Sequence, residues 1–194
     1  MAKSEKLLYN VRWAAEAFPG NGAMERGNGG AAMRNGRVMG LIRILFICHG
    51  NICRSPMAEF VMKQLVRDAG AEDRFEIASA ATSREEIGNP VYPPAKAELA
   101  RHGISCKGHA ARQMTRGDYD YYDYLVAMEP YNIRNMLRIC PDPEGKMRLL
   151  LSFAGSDAGI DDPWYTGRFE EVYRQIETGC RAMLENEFGI RPGR

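Results

Sequence analysis

The sequence predicts an α/β fold: a four-stranded parallel sheet with helices on both faces, and a Cys-x5-Arg loop directly after the first strand. Three observations point there. From Leu41 onward, short apolar runs alternate with longer stretches of helical periodicity, and strands alternating with helices imply right-handed crossovers and a parallel sheet. The first of these runs, LIRILFIC, passes straight into a short loop and then into a helical stretch. The chain of 194 residues, 45% apolar, is long enough to bury one real core.

Taken in order, strands are expected near residues 41–47, 74–79, 122–128 and 146–152. The first helix is read from SPMAEFVMKQLVRDAG, with Ser55 as N-cap, Pro56 as first helical residue and Gly70 as terminator. PAKAELARHG, the polar run from Pro130 to Ile139 and a closing stretch from about Phe169 to Phe188 supply the others. Ligands of such sheets sit beyond the carboxyl ends of the strands, so the loops after Ile47, Ser79, Met128 and Ser152 are expected to hold the chemistry.

Residues 1–40 read differently from the domain assigned to 41–194. Seven glycines fall between Gly20 and Gly40, and such a stretch has too little apolar surface to offset its ordering entropy, so a flexible linker is expected. Before it, Leu7, Val11, Ala14 and Phe18 recur at helical spacing, either a short amphipathic helix or an untethered tail. This extension has six basic and three acidic side chains, net +3, against 20 − 22 = −2 for the rest. That asymmetry is too small for a nucleic-acid arm.

The overall charge of +1 likewise excludes nucleic acid and anionic membrane as main partners. Five cysteines, an odd number spread widely, speak against a disulfide framework and for a reducing compartment. No secretory signal pattern and no membrane-spanning apolar stretch is present, so the expectation is a cytoplasmic protein, a monomer or weak dimer, whose partner is small or local.

The chemistry concentrates in Cys48-His49-Gly50-Asn51-Ile52-Cys53-Arg54-Ser55-Pro56. Backbone N–H groups of a loop clamped between a strand end and a helix N-terminus point inward, and with the positive end of the helix they form a nest for a tetrahedral dianion. Gly50 is expected to allow the tight path. The same field favours a thiolate at Cys48, a nucleophile at neutral pH. Arg54 can fork its guanidinium onto two phosphate oxygens, which Lys cannot do. A bare Cys-x5-Arg is weak; the preceding strand, Ser55 and the following helix make it specific.

CHGNICRSP resembles the signature loop of the low-molecular-weight protein tyrosine phosphatases. SAATSREEIGNP, ARHGISCKGHAARQ, YLVAMEPYN and DDPWYTG extend the resemblance, in family order, over about residues 41 to 190. It implies hydrolysis of phosphotyrosine in proteins or peptides through a phosphocysteine, with no metal and no cofactor. Local reasoning leaves Asp161 and Asp162 open as the acid that protonates the leaving oxygen; the resemblance selects Asp162. It also implies that Asn51 holds the loop in shape with Ser79 and His109 around it, and that Ser55 donates to the Cys48 sulfur.

Further expectations follow from the same segments. Trp164 and Tyr165 should wall the site and stack on a phenyl phosphate. Arg84-Glu85-Glu86, where the family often has an aromatic, and His49, at a position often apolar in the family, bear on substrate preference, and Glu85 or Glu86 is expected to favour basic surroundings of the phosphotyrosine. Cys53 lies close enough in the loop to form a reversible disulfide with an oxidised Cys48. Two alternatives share the scaffold. Arsenate reduction needs two further cysteines placed close together, whereas Cys106, Cys140 and Cys180 are far apart; a phosphoarginine phosphatase resembles this chain less, because that branch has Thr at the position of Ile52.

Overall fold

The computed structural model describes residues 40–193, with the backbone of 33–34 and 37–38. Strands β1 (Ile42–Cys48), β2 (Phe75–Ala81), β3 (Tyr124–Ala127) and β4 (Met147–Leu149) form one sheet. Its order is β2-β1-β3-β4 and every pairing is parallel. The helices are α1 (Arg54–Asp68), α2 (Pro93–Arg101), α3 (Arg116–Tyr121), α4 (Pro130–Ile139), α5 (Pro163–Thr166) and α6 (Phe169–Phe188). The expected helix near Leu7–Phe18 lies outside the described residues. So does most of the expected linker, although Met33–Arg34 pairs antiparallel with Arg37–Val38.

From Ile44 to Cys48 β1 is apolar without a break because it is central and covered on both faces. Ile44 and Phe46 enter one layer with Met57, Val61 and Leu65 of α1 and Val172, Ile176 and Met183 of α6. Leu45 and Ile47 enter the other with Tyr119 of α3 and Met136 of α4. Helices therefore flank the sheet on both faces, as the alternation predicts. From β1 the chain crosses to β2 on one side, and from β3 it crosses to β4 on the other, which opens a crevice at the carboxyl ends of β1 and β3.

β2 runs to Ala81, two residues past its expected end at Ser79, and three further boundaries differ from expectation. β4 ends at Leu149, and residues 150–152, expected to continue it, instead open a 3-10 turn, Leu150–Ala154, against α6. Gly179 of α6 makes this possible, since a Cβ there would come within 2.6 Å of Leu150 Cγ. Burying Leu150, Leu151 and Phe153 is worth roughly 1.5–3 kcal/mol each, against about 1 kcal/mol for each ladder hydrogen bond forgone. β3 begins at Tyr124 because Tyr122 caps α3, a helix absent from the sequence reading; its signal was the Thr115–Asp118 capping box. Finally, α1 starts at Arg54 with Cys53 at the N-cap, so Ser55 is not the cap, and its hydroxyl is turned toward Cys48 instead. Gly70 ends the helix as expected, in the left-handed region at φ 61°.

Candidate active site

Cys48 is the last residue of β1, and the chain turns from it into α1 within a few residues. The turn depends on Asn51, which adopts φ 59° and is the only non-glycine residue with positive φ among those described. Gly50, expected to allow the tight path, is not in the left-handed region; its lack of a side chain leaves room for Glu86, whose Cγ would lie 3.2 Å from a Cβ there. A left-handed Asn costs conformational energy, which the surroundings must offset. Asn51 Nδ2 donates to Ser55 Oγ at 2.9 Å and to Ser79 Oγ at 2.8 Å, and its Oδ1 accepts from the Arg112 N–H at 3.1 Å. His109 Nε2 meets the Asn51 carbonyl at 2.8 Å, so that nitrogen carries the proton. The His109 side chain is buried rather than exposed.

Inside the turn, the Cys48 sulfur lies 3.1 Å from Ser55 Oγ and accepts from the Asn51 N–H at 3.3 Å. The amides of Gly50, Ile52 and Cys53 find no acceptor among the described residues. Arg54 is 1% exposed. Its Nη1 donates to Glu129 Oε1 at 2.7 Å and to the Ile160 carbonyl at 3.0 Å, and its Nη2 donates to Asp162 Oδ2. Its Nε is buried without a partner. Free amides and an unspent guanidinium N–H around one sulfur make a bowl suited to a tetrahedral anion.

Burial works against the Arg54 charge, but Cys48, Asp162 and Glu129 together outweigh it and hold its pKa above the ordinary value. Cys53 is the opposite case. Burial first, and then the neighbouring Cys48, push its thiol far above the usual range, so it is neutral at rest.

Cys48, His49, Gly50, Ile52, Cys53, Arg54, Glu85, Glu86, Asp162, Trp164 and Tyr165 line a single cleft of about 180 Å³. The sequence-predicted residues are thus brought together, with Asn51 and Ser55 buried beneath the bowl and Ser79 and His109 behind them. Asp162 is part-buried against Arg54, whereas Asp161 is exposed and lies outside the cleft. Trp164 and Tyr165 are 52% and 85% exposed, which removes a core role for either. Trp164 is braced by Tyr92, ring centroids 4.7 Å apart. Cys106, Cys140 and Cys180 are free, buried and outside the cleft.

A larger groove of about 570 Å³ between α2 and the start of α6 has no comparable chemistry. Its arginines are already paired, Arg101 with Glu98, Arg168 with Glu171 and Arg174 with Glu170. Among the described residues no cluster of His, Cys, Asp and Glu is arranged to hold a metal ion, and no helix is long and apolar enough to cross a membrane.

Three supporting residues escaped the sequence reading. Glu59 of α1 is buried and accepts from Ser79 Oγ at 2.6 Å; its signal was a carboxylate on the apolar stripe Ser55, Glu59, Met62, Val66. Glu129 follows β3 in a loop expected to carry chemistry, yet nothing local links it to Arg54. Arg112 acts through its backbone, which sequence does not mark.

A parallel sheet that delivers a thiol and a buried arginine to one anion-sized bowl, with a carboxylate at its rim, is the scaffold implied above for cysteine-dependent phosphatases. The chain belongs to the low molecular weight phosphotyrosine protein phosphatase family, whose family model matches residues 43–188. It is 41% identical over 147 residues to the low molecular weight protein-tyrosine-phosphatase YfkJ of Bacillus subtilis, covering 74% of this chain and 94% of that one. The human low molecular weight phosphotyrosine protein phosphatase is 40% identical over 151 residues, covering 73% and 93%. The crystal structure of YfkJ superposes with a TM-score of 0.73 at 38% identity, covering 76% of this chain and 97% of that one.

Proposed function

We propose that this chain hydrolyses phosphotyrosine and related aryl phosphate monoesters through a phosphocysteine intermediate. The observation that supports it most is the sharing of one bowl by the Cys48 sulfur, the unpartnered Arg54 Nε and the Asp162 carboxyl. The phosphoryl group occupies the bowl, accepting from the loop amides and from Arg54 Nε and Nη2. Taking Nη2 displaces Asp162 from Arg54 and releases its carboxyl toward the leaving oxygen.

The Cys48 thiolate then attacks phosphorus in line. The phosphorus–oxygen bond to the aryl group breaks, and Asp162, which takes up a proton from water on leaving Arg54, gives that proton to the departing oxygen. Water next attacks the phosphocysteine with Asp162 as base, and the sulfur leaves with the bonding pair, stabilised by Ser55 and the Asn51 amide. Charge developing on the phosphoryl oxygens is met by Arg54 and the amides, already oriented before reaction. Asn51, Ser79, His109 and Glu59 hold that orientation. Trp164 and Tyr165 receive the phenyl ring, and the five free cysteines fit a reducing, cytoplasmic setting.

Turnover of p-nitrophenyl phosphate tests the reading. Cys48→Ser is expected to lower kcat by at least about 10⁴-fold, and a rapidly denatured reaction of the parent should contain covalent phosphoenzyme at one site, with the acid lability and alkaline stability of a phosphorus–sulfur bond. Turnover that survives the substitution excludes the covalent route.

A further inference from the structure

The wall of the bowl carries charge that a bare aryl phosphate does not use. Glu85 and Glu86 both line the cleft. Glu86 is held in place, since Asn89 Nδ2 donates to its Oε2 at 2.6 Å and its Cγ packs over Gly50. Glu85 accepts from His49 Nε2 at 3.1 Å and remains 72% exposed. Among the described residues neither carboxylate pairs with a Lys or Arg; His49 is the only ion-pair partner of the two.

The rest of the mouth does not neutralise them. Arg54 is the only Lys or Arg lining the cleft, and Glu129 and Asp162 already share its charge. On the α4 side, Tyr131 lies beside His49 with ring centroids 6.5 Å apart, and Arg134 sits over the Tyr131 ring at 5.5 Å. Arg134 is therefore one side chain further out and does not line the cleft. A phosphate dianion entering this mouth passes two carboxylates without matching cations, which opposes binding. A substrate that carries its own cation next to the phosphotyrosine turns the repulsion into attraction.

Resting on the phosphatase reading above, we infer that the Glu85–Glu86 wall selects phosphotyrosine flanked directly by Lys or Arg over phosphotyrosine flanked by Asp or Glu. Both residues are solvent-accessible in part, so changing them to Gln removes charge with little effect on folding.

The test compares two phosphotyrosine peptides that differ only in having Arg or Glu on each side of the phosphorylated residue. At low salt the Arg peptide is expected to have roughly tenfold or more the kcat/KM of the Glu peptide, and the ratio should shrink several-fold at about 0.5 M salt. The double variant Glu85→Gln, Glu86→Gln should bring the ratio close to one, while Arg134→Gln should leave it in favour of Arg. Equal kcat/KM for the two peptides in the parent, with p-nitrophenyl phosphate still hydrolysed, overturns the selective wall and leaves the phosphatase reading intact. A preference that persists in the double variant also overturns it. Loss of p-nitrophenyl phosphate turnover in the parent overturns the phosphatase reading instead; peptide affinities measured on Cys48→Ser then give the same ratio without hydrolysis, and equal affinities sink the wall.

Discussion

Arg54 and Arg112 each meet carboxylates through both terminal nitrogens, but the two assemblies differ in every other respect. Arg112 places its fork on one carboxylate, Asp118, at 3.0 and 2.8 Å, with its side chain 40% exposed. Asp118 also accepts from the Thr115 N–H at 2.7 Å and closes the capping box of α3. Arg54 is almost wholly buried, divides its fork between Glu129 and Asp162 from two separate loops, and leaves its Nε–H unspent. A matched fork that is fully satisfied holds structure together. A buried guanidinium with an unused donor, on a residue that lines a cleft, is costly to keep unless a ligand uses it.

Substitution at Arg54 separates the two arginines most clearly. Lys in its place keeps a charge but loses the planar fork, and kcat/KM for p-nitrophenyl phosphate is expected to fall by about 10³-fold. A loss under tenfold would put Arg54 on the same footing as a structural arginine. Asp162→Asn comes next, with a fall of about 10²-fold on phenyl phosphate and a smaller one on p-nitrophenyl phosphate, whose leaving group needs no proton. If both esters slowed equally, the carboxyl would not be the proton donor.

At the structural arginine the effect should appear in stability. Asp118→Asn removes charge-assisted bonds and is expected to cost about 2 kcal/mol in denaturant unfolding at neutral pH. Burial alone would raise the Asp118 pKa, but Arg112 and Thr115 outweigh it and hold the group below its ordinary 3.8. A depressed folded-state pKa stabilises above the unfolded value and fades as pH falls through the folded one. Parent and variant should therefore converge in stability in acid below the ordinary carboxylate range, and a gap that persisted there would argue against the clasp.

The smallest effect is expected at Cys53, and only after oxidation. Peroxide converts the Cys48 thiolate to a sulfenic acid; the Cys53 sulfur then displaces hydroxide, which leaves as water, and forms a disulfide that a thiol reductant reopens. Because the Cys53 thiol is held neutral at rest, it does not compete with Cys48 beforehand. Cys53→Ser should recover less activity than the parent when dithiothreitol follows peroxide. Equal recovery would leave Cys53 as a buried filler.

The fold was legible where periodicity and breaker residues agreed. β1, α4, α6 and the Gly70 terminator lie where the pattern puts them, because each has a continuous apolar run or a strong stop signal. The end of β4 was not legible, since Leu149, Leu150 and Leu151 look alike in sequence and only α6, through Gly179, bends the chain at that point. The site divides in the same way. Cys48 and Arg54 belong to one short loop whose chemistry can be read directly, and resemblance supplied Asp162, Ser79 and His109. Glu129 and the Arg112 amide were invisible, because each acts on a residue more than a strand away; Glu59 showed only as a carboxylate on an apolar stripe, with nothing to mark Ser79 as its partner.

By itself, the sequence determined the alternation of strands and helices, the loop that joins β1 to α1, and the thiol and guanidinium that loop must present. These are local properties, set by side-chain periodicity and by spacing along a few residues. Only the tertiary structure decided that Asn51 rather than Gly50 takes the left-handed turn, that Ser55 serves the sulfur rather than the helix cap, and that Glu129 and Asp162 converge on Arg54. Those outcomes depend on crossovers that bring loops from four strand ends to one crevice, and hydrogen bonds between such distant loops leave no period in the chain to read.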